Sequence, residues 1–196
     1  SSPGLFNPRD GSLLTRTEIE AISGGDFEQR VLVKNPASGE FEVHDNLTRK
    51  VSERHAVNIV GIDEETNKFY VLTDLFSDLV QAWMYDPAAR KFDDEPLLAH
   101  PEFSIASLIL GTQPSNFNKV LGFVVDGPVR EATYIEPTMA AIHAALKQAY
   151  PGQNVGITGY NDDLSRVLFT ASGPQNPPTY GVLLDRKQVV ELGNQR

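Results

Sequence analysis

The groups in this 196-residue sequence that could do chemistry are mainly four histidines and 26 acidic side chains, because cysteine is absent. The histidines, His44, His55, His100 and His143, form neither a His-x-x-x-His nor a His-Glu-x-x-His pair, the spacings that place two zinc ligands on one helix face. Without cysteine the chain has no disulfide, no thiol nucleophile and no thiolate metal site. The sequence therefore predicts no metal and no cofactor.

A serine nucleophile of the α/β-hydrolase type lies in a Gly-x-Ser-x-Gly turn between a strand and a helix. This pattern does not occur in the sequence, and the stretches 156–159 and 172–174 do not supply it. His44 next to Asp45 could mimic part of a catalytic triad, but a place at the end of a strand is the favoured interpretation. We therefore predict no catalytic residue and no enzymatic activity for this chain alone.

Two acidic turns, Asp63-Glu64-Glu65 and Asp162-Asp163, are candidates for calcium ligands. They lack the Asp-x-Asp-x-Asp-Gly rhythm of a calcium-binding loop. They also occupy corresponding places in two repeats of the chain, which favours solvated turns over metal sites.

The charge of the chain limits its partners. There are 26 acidic and 17 basic residues, a formal net charge of −9. Nucleic-acid binding depends on Lys and Arg neutralising phosphates, so we expect no nucleic-acid partner. No run of about 18 apolar residues occurs, so we expect no membrane-spanning helix. The absence of cysteine leaves the compartment open.

A weak internal repeat organises the elements that would position any site. Each unit has a polar turn, a basic residue and an apolar strand, and a second strand then ends in an acidic residue. The basic residues are 38, 51 and 47 residues apart, and the acids follow them by 15, 18, 17 and 19 residues. These markers are Arg30, Lys68, Lys119 and Arg166, followed by Asp45, Asp86, Glu136 and Asp185. A further strand precedes each unit, at 11–15, 55–61, 104–110 and 154–159, and an outer strand is clear only at 188–192.

A repeat of 40 to 50 residues is typical of β-propellers. The sequence therefore predicts an all-β fold, a partial propeller of about four antiparallel blades at 11–54, 55–103, 104–152 and 153–196. The alternative is an antiparallel β-sandwich, which rarely keeps such a period. An open arc of blades would expose strand edges, so self-association is expected.

One α-helix interrupts this pattern, at 137–150. Met139, Ile142 and Leu146 have helical spacing, Thr138 is the expected N-cap, and Pro151-Gly152 ends the helix. The helix replaces the outer strand of the third repeat, where we expect it to cover a strand edge. His143 is expected to be at the surface or half-buried.

The stretch from Lys68 to Leu192 resembles the propeller domain of prolyl oligopeptidase-type serine peptidases, in particular bacterial dipeptidyl and acylaminoacyl peptidases. The resemblance is closest from Ala140 to Asp185. In order, this part contains the alanine-rich helix, Tyr150-Pro151-Gly152, the strand 155–159, Asp162-Asp163, Ser165-Arg166, a long apolar strand, Pro177-Pro178-Thr179-Tyr180 and Leu184-Asp185. Residues 1–67 resemble the family only through the repeat.

The resemblance implies the non-catalytic propeller of a serine peptidase, which restricts access to the active site or contacts the peptide substrate. Its partner would be a C-terminal α/β-hydrolase domain, expected to begin about where Gln195-Arg196 ends this chain. The start at Ser1-Ser2-Pro3-Gly4 likewise indicates a segment of a longer protein. Arg130 and Glu131 are conceivable contacts for a peptide terminus. The alternative is a standalone bacterial propeller, cytoplasmic or periplasmic, that binds a protein or a ligand.

Overall fold

The computed structural model describes residues 4–128 and 130–194, which form four antiparallel sheets, one α-helix and two short 3₁₀ helices. The prediction of a mainly β fold with one helix is confirmed at this level. The chain divides into two compact units, residues 1–107 and 108–196. The predictions that concern Ser1-Ser2-Pro3 and Gln195-Arg196 lie outside the described residues.

The first sheet of unit 1 has three strand positions, and the third position is interrupted. Its strands are β1 (Thr15–Ala21), β2 (Phe27–Lys34), β3 (Phe41–Val43) and β4 (Arg49–Lys50). β1 pairs with the whole of β2, while β3 and β4 both pair with β2 at different heights. The 3₁₀ helix Asp45–Leu47 lies between β3 and β4 and buries Leu47, which is only 1% exposed. The interruption thus places an apolar side chain in the core.

The second sheet of unit 1 is a four-stranded meander in chain order. Its strands are β5 (Val57–Asp63), β6 (Lys68–Thr73), β7 (Gln81–Asp86) and β8 (Lys91–Phe92). β5 carries a bulge between Ile59 and Gly61. The two sheets of unit 1 share one apolar core, because its buried cluster draws on both. The cluster consists of Val31, Val33, Leu47, Val57, Phe69, Val71 and Tyr85.

The third sheet is a three-stranded meander followed by the helix. It consists of β9 (Ile105–Leu110), which begins at the end of unit 1, β10 (Val120–Val125) and β11 (Ala132–Tyr134). Helix α1 (Pro137–Ala149) follows β11 and packs against β11 and β12.

The N-cap of α1 is Glu136, so the expected N-cap Thr138 is wrong. The Glu136 Oε2 atom accepts a hydrogen bond from the Met139 amide at 2.7 Å, and Pro137 takes the first helical position, where its missing N–H costs nothing. The expectation for His143 is also wrong. This side chain is buried, and its Nε2 donates to the Val155 carbonyl at 3.0 Å, which satisfies the imidazole inside the apolar interface.

The fourth sheet is again a four-stranded meander in chain order. Its strands are β12 (Asn154–Tyr160), β13 (Arg166–Gly173), β14 (Asn176–Leu184) and β15 (Gln188–Asn194). β12 carries a bulge between Ile157 and Gly159. Ile142 and Leu146 of α1 join the buried core of this sheet.

Three strand predictions differ from the structure. The strand expected at 11–15 begins at Thr15, because Gly11 adopts a turn with φ 71° and Leu13 forms only an isolated bridge. The residue types at 172–178 predict a turn, but this turn is shorter, since Pro177 and Pro178 lie in β14. The pairing of β14 with β15 starts only at Thr179, so these prolines remove no N–H from that ladder. The outer strand β8 has only two residues and was not predicted.

A left-handed residue precedes the second strand in three of the sheets. Asn67, Asn118 and Leu164 have φ angles of 57°, 58° and 55°, and each stands one or two residues before the basic residue that introduces the strand. Asparagine tolerates this conformation better than other non-glycine residues.

Candidate functional site

One candidate site is a cavity of about 830 Å³ inside unit 1, between the ends of its two sheets. Three turns meet there: the one after β2, at Asn35-Pro36; the one before β6, at Thr66-Asn67; and the one after β7, at Asp86 to Arg90. Ligand sites in proteins are typically cavities of roughly 300–1,000 Å³ with an apolar floor and a few convergent polar groups.

The floor of the cavity is apolar and belongs to the shared core. It is lined by Leu14, which directly precedes β1, by Val33 of the first sheet, and by Ile62 and Phe69 of the second sheet. Val33 and Phe69 are 5% and 3% exposed. Because these apolar lining residues belong to the core cluster or pack against it, core packing holds them in place.

Arg90, in the turn after β7 of the second sheet, links this sheet to β3 of the first sheet beside the cavity. Its guanidinium forms an ion pair with Glu42, and Nη1 donates to the Val43 carbonyl at 3.3 Å. The Arg90 carbonyl in turn accepts from Asn46 Nδ2 at 2.7 Å, and Asn35 Nδ2 donates to Glu42 Oε1 at 2.8 Å. Both oxygens of the Glu42 carboxylate are therefore occupied. We call this set of contacts the Arg90 clasp.

Two further charges line the cavity, one on each wall. Lys34 ends β2 and forms no salt bridge with any other residue in the described part of the chain. Hydrogen bonds from Ser12 and, to a lesser degree, the charge of Lys34 lower the pKa of Asp10. Asp86 ends β7, and its Oδ1 accepts from the Ala88 and Ala89 amides at 2.8 and 3.0 Å. The other oxygen, Oδ2, accepts no hydrogen bond from the described residues.

His44 is the most buried of the polar lining residues. It is 3% exposed, and its Nδ1 is 2.9 Å from the hydroxyl of Tyr85, which is fully buried in the second sheet. Burial, and then the charge of Arg90, lower the pKa of His44, so the ring is neutral at pH 7. Burial likewise raises the pKa of Tyr85 to about 12. This pair joins the two sheets by a neutral hydrogen bond.

The structure places His44 at the end of β3, as the sequence indicated, and its neighbour Asp45 is exposed. The described residues that line the cavity include no serine. The hydrogen-bond partner of the His44 ring is the buried hydroxyl of Tyr85.

The other histidines are engaged structurally. His55 Nδ1 is 3.4 Å from Asp74 Oδ1 at the surface. His100 Nδ1 accepts from the amides of Glu102 and Phe103, at 3.2 and 3.1 Å. Within residues 4–128 and 130–194, no group of three or more His, Asp or Glu residues could hold a metal ion.

The acidic turns are held by their own hydrogen bonds. Asp63 Oδ2 accepts from the Thr66 hydroxyl at 2.5 Å, and Glu64 forms a two-point ion pair with Arg9 at 2.8 and 2.7 Å. In unit 2, Asp162 Oδ1 accepts from the Ser115 amide at 2.9 Å.

Arg130 and Glu131 are not brought together as a peptide-terminus site. Arg130 pairs with Asp126 at 3.5 Å, and Glu131 pairs with Lys147 of α1. Both ion pairs are at the surface.

A smaller cavity of about 430 Å³ lies in unit 2. Its lining includes Leu121, Ile135, Met139 and Asp162, near the start of α1. Its polar groups are largely committed, since Glu136 caps the helix and Asp162 holds the loop at Ser115.

Sequence reasoning missed the cavity, because Lys34, Glu42 and Arg90 are separated along the chain and belong to no motif. Of the polar lining residues, Asp86 was noted as a repeat marker and His44 as the neighbour of Asp45. A turn signal was nevertheless present, since Asp86-Pro87 begins the turn that carries Arg90.

No helix in the described part of the chain is long and apolar enough to span a membrane. The sequence matches no model of a known protein family, and a search of curated proteins finds no significant match.

Proposed function

We propose that this chain is a stretch of β-propeller of about four blades and that it serves as the non-catalytic propeller portion of a prolyl oligopeptidase-type serine peptidase. In this role it restricts access to a hydrolase active site or contacts the peptide substrate. The second and fourth sheets support this proposal, because each is an up-and-down meander of four consecutive strands, the connectivity of a propeller blade.

The observation that carries the proposal is a shared irregularity in these two sheets. β5 has its bulge between Ile59 and Gly61, and β12 has its bulge between Ile157 and Gly159, 98 residues later. The basic residues Lys68 and Arg166 are also 98 residues apart. A bulge breaks regular pairing and persists as a specific feature of a fold. The same bulge two repeats apart favours repeated units over a sandwich of unrelated hairpins.

A second repeated feature is a residue with left-handed backbone conformation. Asn67, Asn118 and Leu164 each lie just before the second strand of their sheets. The resemblance to the peptidase family then supplies the function, through the helix, Tyr150-Pro151-Gly152 and the Pro177-Pro178-Thr179-Tyr180 strand. Fold alone would not identify a function.

An activity assay tests the enzymatic part of this proposal. The purified 196-residue chain is expected to release no product from aminoacyl and dipeptidyl nitroanilides and to resist labelling by a fluorophosphonate serine probe. Hydrolysis that co-purifies with the chain, and that exceeds the background of a mock purification from the same host, would contradict the proposal.

An experimental structure tests the architecture. The four sheets are expected to follow one another around a common axis. A single continuous sheet, or two stacked sheets without radial order, would overturn the propeller. Downstream sequence of the same gene is expected to encode Gly-x-Ser-x-Gly, the nucleophile turn of the hydrolase.

The second candidate function is a standalone propeller that binds a ligand or a protein. The cavity of unit 1 favours it, because every lining residue comes from unit 1 and the cavity needs no hydrolase domain to form. A reading frame that encodes no hydrolase, together with ligand binding by this chain, would favour this second candidate.

A further inference from the structure

The unit 1 cavity has a charge pattern that restricts what it can bind. Its lining contains two cations, Lys34 and Arg90, and two carboxylates, Glu42 and Asp86. A lining with equal numbers of positive and negative charges attracts neither a net anion nor a net cation strongly, since attraction by one sign offsets repulsion by the other. A ligand that carries both signs fits it better.

Two of the four charges are already used by the protein. Arg90 and Glu42 bind each other in the Arg90 clasp, and Asn35 occupies the remaining Glu42 oxygen. Two charged groups are left for a ligand: the Lys34 ammonium on the first sheet, whose charge also acts on Asp10, and Asp86 Oδ2 on the second sheet, where the Asp86 charge also acts on Lys68. The same cavity is lined by the apolar side chains of Leu14, Val33, Ile62 and Phe69.

We propose that this cavity is a binding site for a small zwitterion with apolar side chains, of the size of an apolar dipeptide. The ligand carboxylate binds Lys34 Nζ, the ligand ammonium binds Asp86 Oδ2, and its apolar side chains contact the floor. A volume of about 830 Å³ exceeds what a single amino acid requires and suits a ligand of two residues. Arg90 acts as a positioning residue, because its contacts with Glu42 and Val43 hold the first and second sheets together beside the cavity.

This inference goes beyond the proposed function, since it assigns a site within unit 1 and requires neither a hydrolase domain nor a closed propeller. The binding site and the proposed function can therefore be refuted independently of each other. Absence of binding leaves the architecture and activity tests unaffected, and a sandwich architecture leaves the cavity intact.

The first experiment needs no variant. Isothermal titration calorimetry of the whole chain is expected to show L-leucyl-L-leucine binding with a Kd of about 1 mM or tighter. The ligands with one charge removed, N-acetyl-L-leucyl-L-leucine and L-leucyl-L-leucinamide, should each bind about 10-fold more weakly, because each loses one charged hydrogen bond. Free L-leucine and glycylglycine should bind more weakly still. Equal binding of the charged and blocked dipeptides, or no binding of L-leucyl-L-leucine, would overturn the proposal.

The second experiment assigns each charge to its partner. Lys34→Met should weaken L-leucyl-L-leucine about 10-fold but leave the affinity for L-leucyl-L-leucinamide unchanged, because that ligand has no carboxylate. Asp86→Asn, which keeps an oxygen for the Ala88 and Ala89 amides, should weaken L-leucyl-L-leucine but not the N-acetylated ligand. If either variant weakens all ligands equally, the assigned ion contact is wrong.

The third experiment uses neighbouring residues of one turn. Ala88 lines the cavity and Ala89 does not, although both are exposed. Ala88→Trp should abolish binding, whereas Ala89→Trp should leave it unchanged. Equal effects of the two substitutions would place the ligand elsewhere. Folding of each variant is checked by far-ultraviolet circular dichroism.

Discussion

Tyr85→Phe removes one atom from the hydrogen bond that joins the two sheets of unit 1. The Tyr85 hydroxyl is 2.9 Å from His44 Nδ1, and the two residues are 0% and 3% exposed. The phenylalanine ring keeps the edge contact with Phe92, whose ring centroid is 4.9 Å away. The variant therefore isolates the hydroxyl from the packing around it.

The expected cost follows from what the substitution leaves behind. A buried nitrogen of His44 loses its partner, and such an unsatisfied group costs about 1–3 kcal/mol. In a unit of about 100 residues, each kcal/mol lowers the Tm by roughly 4–8 °C. Replacing both partners by apolar groups costs less than the sum of the single changes, so His44→Leu with Tyr85→Phe should recover about 1 kcal/mol.

Urea unfolding followed by tryptophan fluorescence measures this cost directly. Trp83 is the only tryptophan, and it lies 7% exposed in β7 of the same unit. Its signal reports unit 1. A double-mutant coupling energy below about 0.5 kcal/mol would refute the reasoning, since distant independent sites add within that margin.

Three other changes have expected outcomes of their own. Gly181→Ala should destabilise unit 2 by about 1–3 kcal/mol in urea unfolding followed by far-ultraviolet circular dichroism, because a Cβ there would lie 2.4 Å from Cζ of the buried Phe169 ring; Gly156→Ala, where the nearest atom would be 3.4 Å away, is the matched control. Leu146→Ala should cost about 2–5 kcal/mol in the same assay, because this 1% exposed side chain anchors α1 on the fourth sheet; a loss under 1 kcal/mol would mean that the helix is not anchored there. His44 has a lowered pKa in the folded state, so its stabilisation is complete above its unfolded value of 6.5 and is lost as the pH falls below it; the free energy of unfolding at pH 5 and 7 should differ less in His44→Leu, and an equal difference would contradict the assignment.

The parts of the fold that the sequence predicts are those controlled by local chemistry. Alternation and turn residues locate most of the strands, and the spacing of Met139, Ile142 and Leu146 locates the helix. The N-cap was misplaced because Thr138 is a common cap by residue type, whereas Pro137 fits only the first helical position and leaves Glu136 to cap. Local preference therefore gives the element, and competition between neighbours decides its boundary.

The candidate site was beyond sequence reasoning for a different reason. Arg90 and Glu42 are 48 residues apart, and nothing in either local sequence indicates that they meet. The same holds for His44 and Tyr85, whose burial depends on two sheets packing together. His143 was misjudged for the same reason, because its partner is a carbonyl of the following strand rather than a side chain.

The chain-order connectivity of the sheets has a consequence for how this protein folds. The backbone ladders of the first sheet link residues no more than 22 positions apart, the separation of Glu28 from Lys50. The entropy lost on closing such short loops is small, and mostly local contacts are associated with fast folding. Each ladder of this sheet can therefore begin to pair within a segment of about 20 residues, before distant parts of the sequence come into contact.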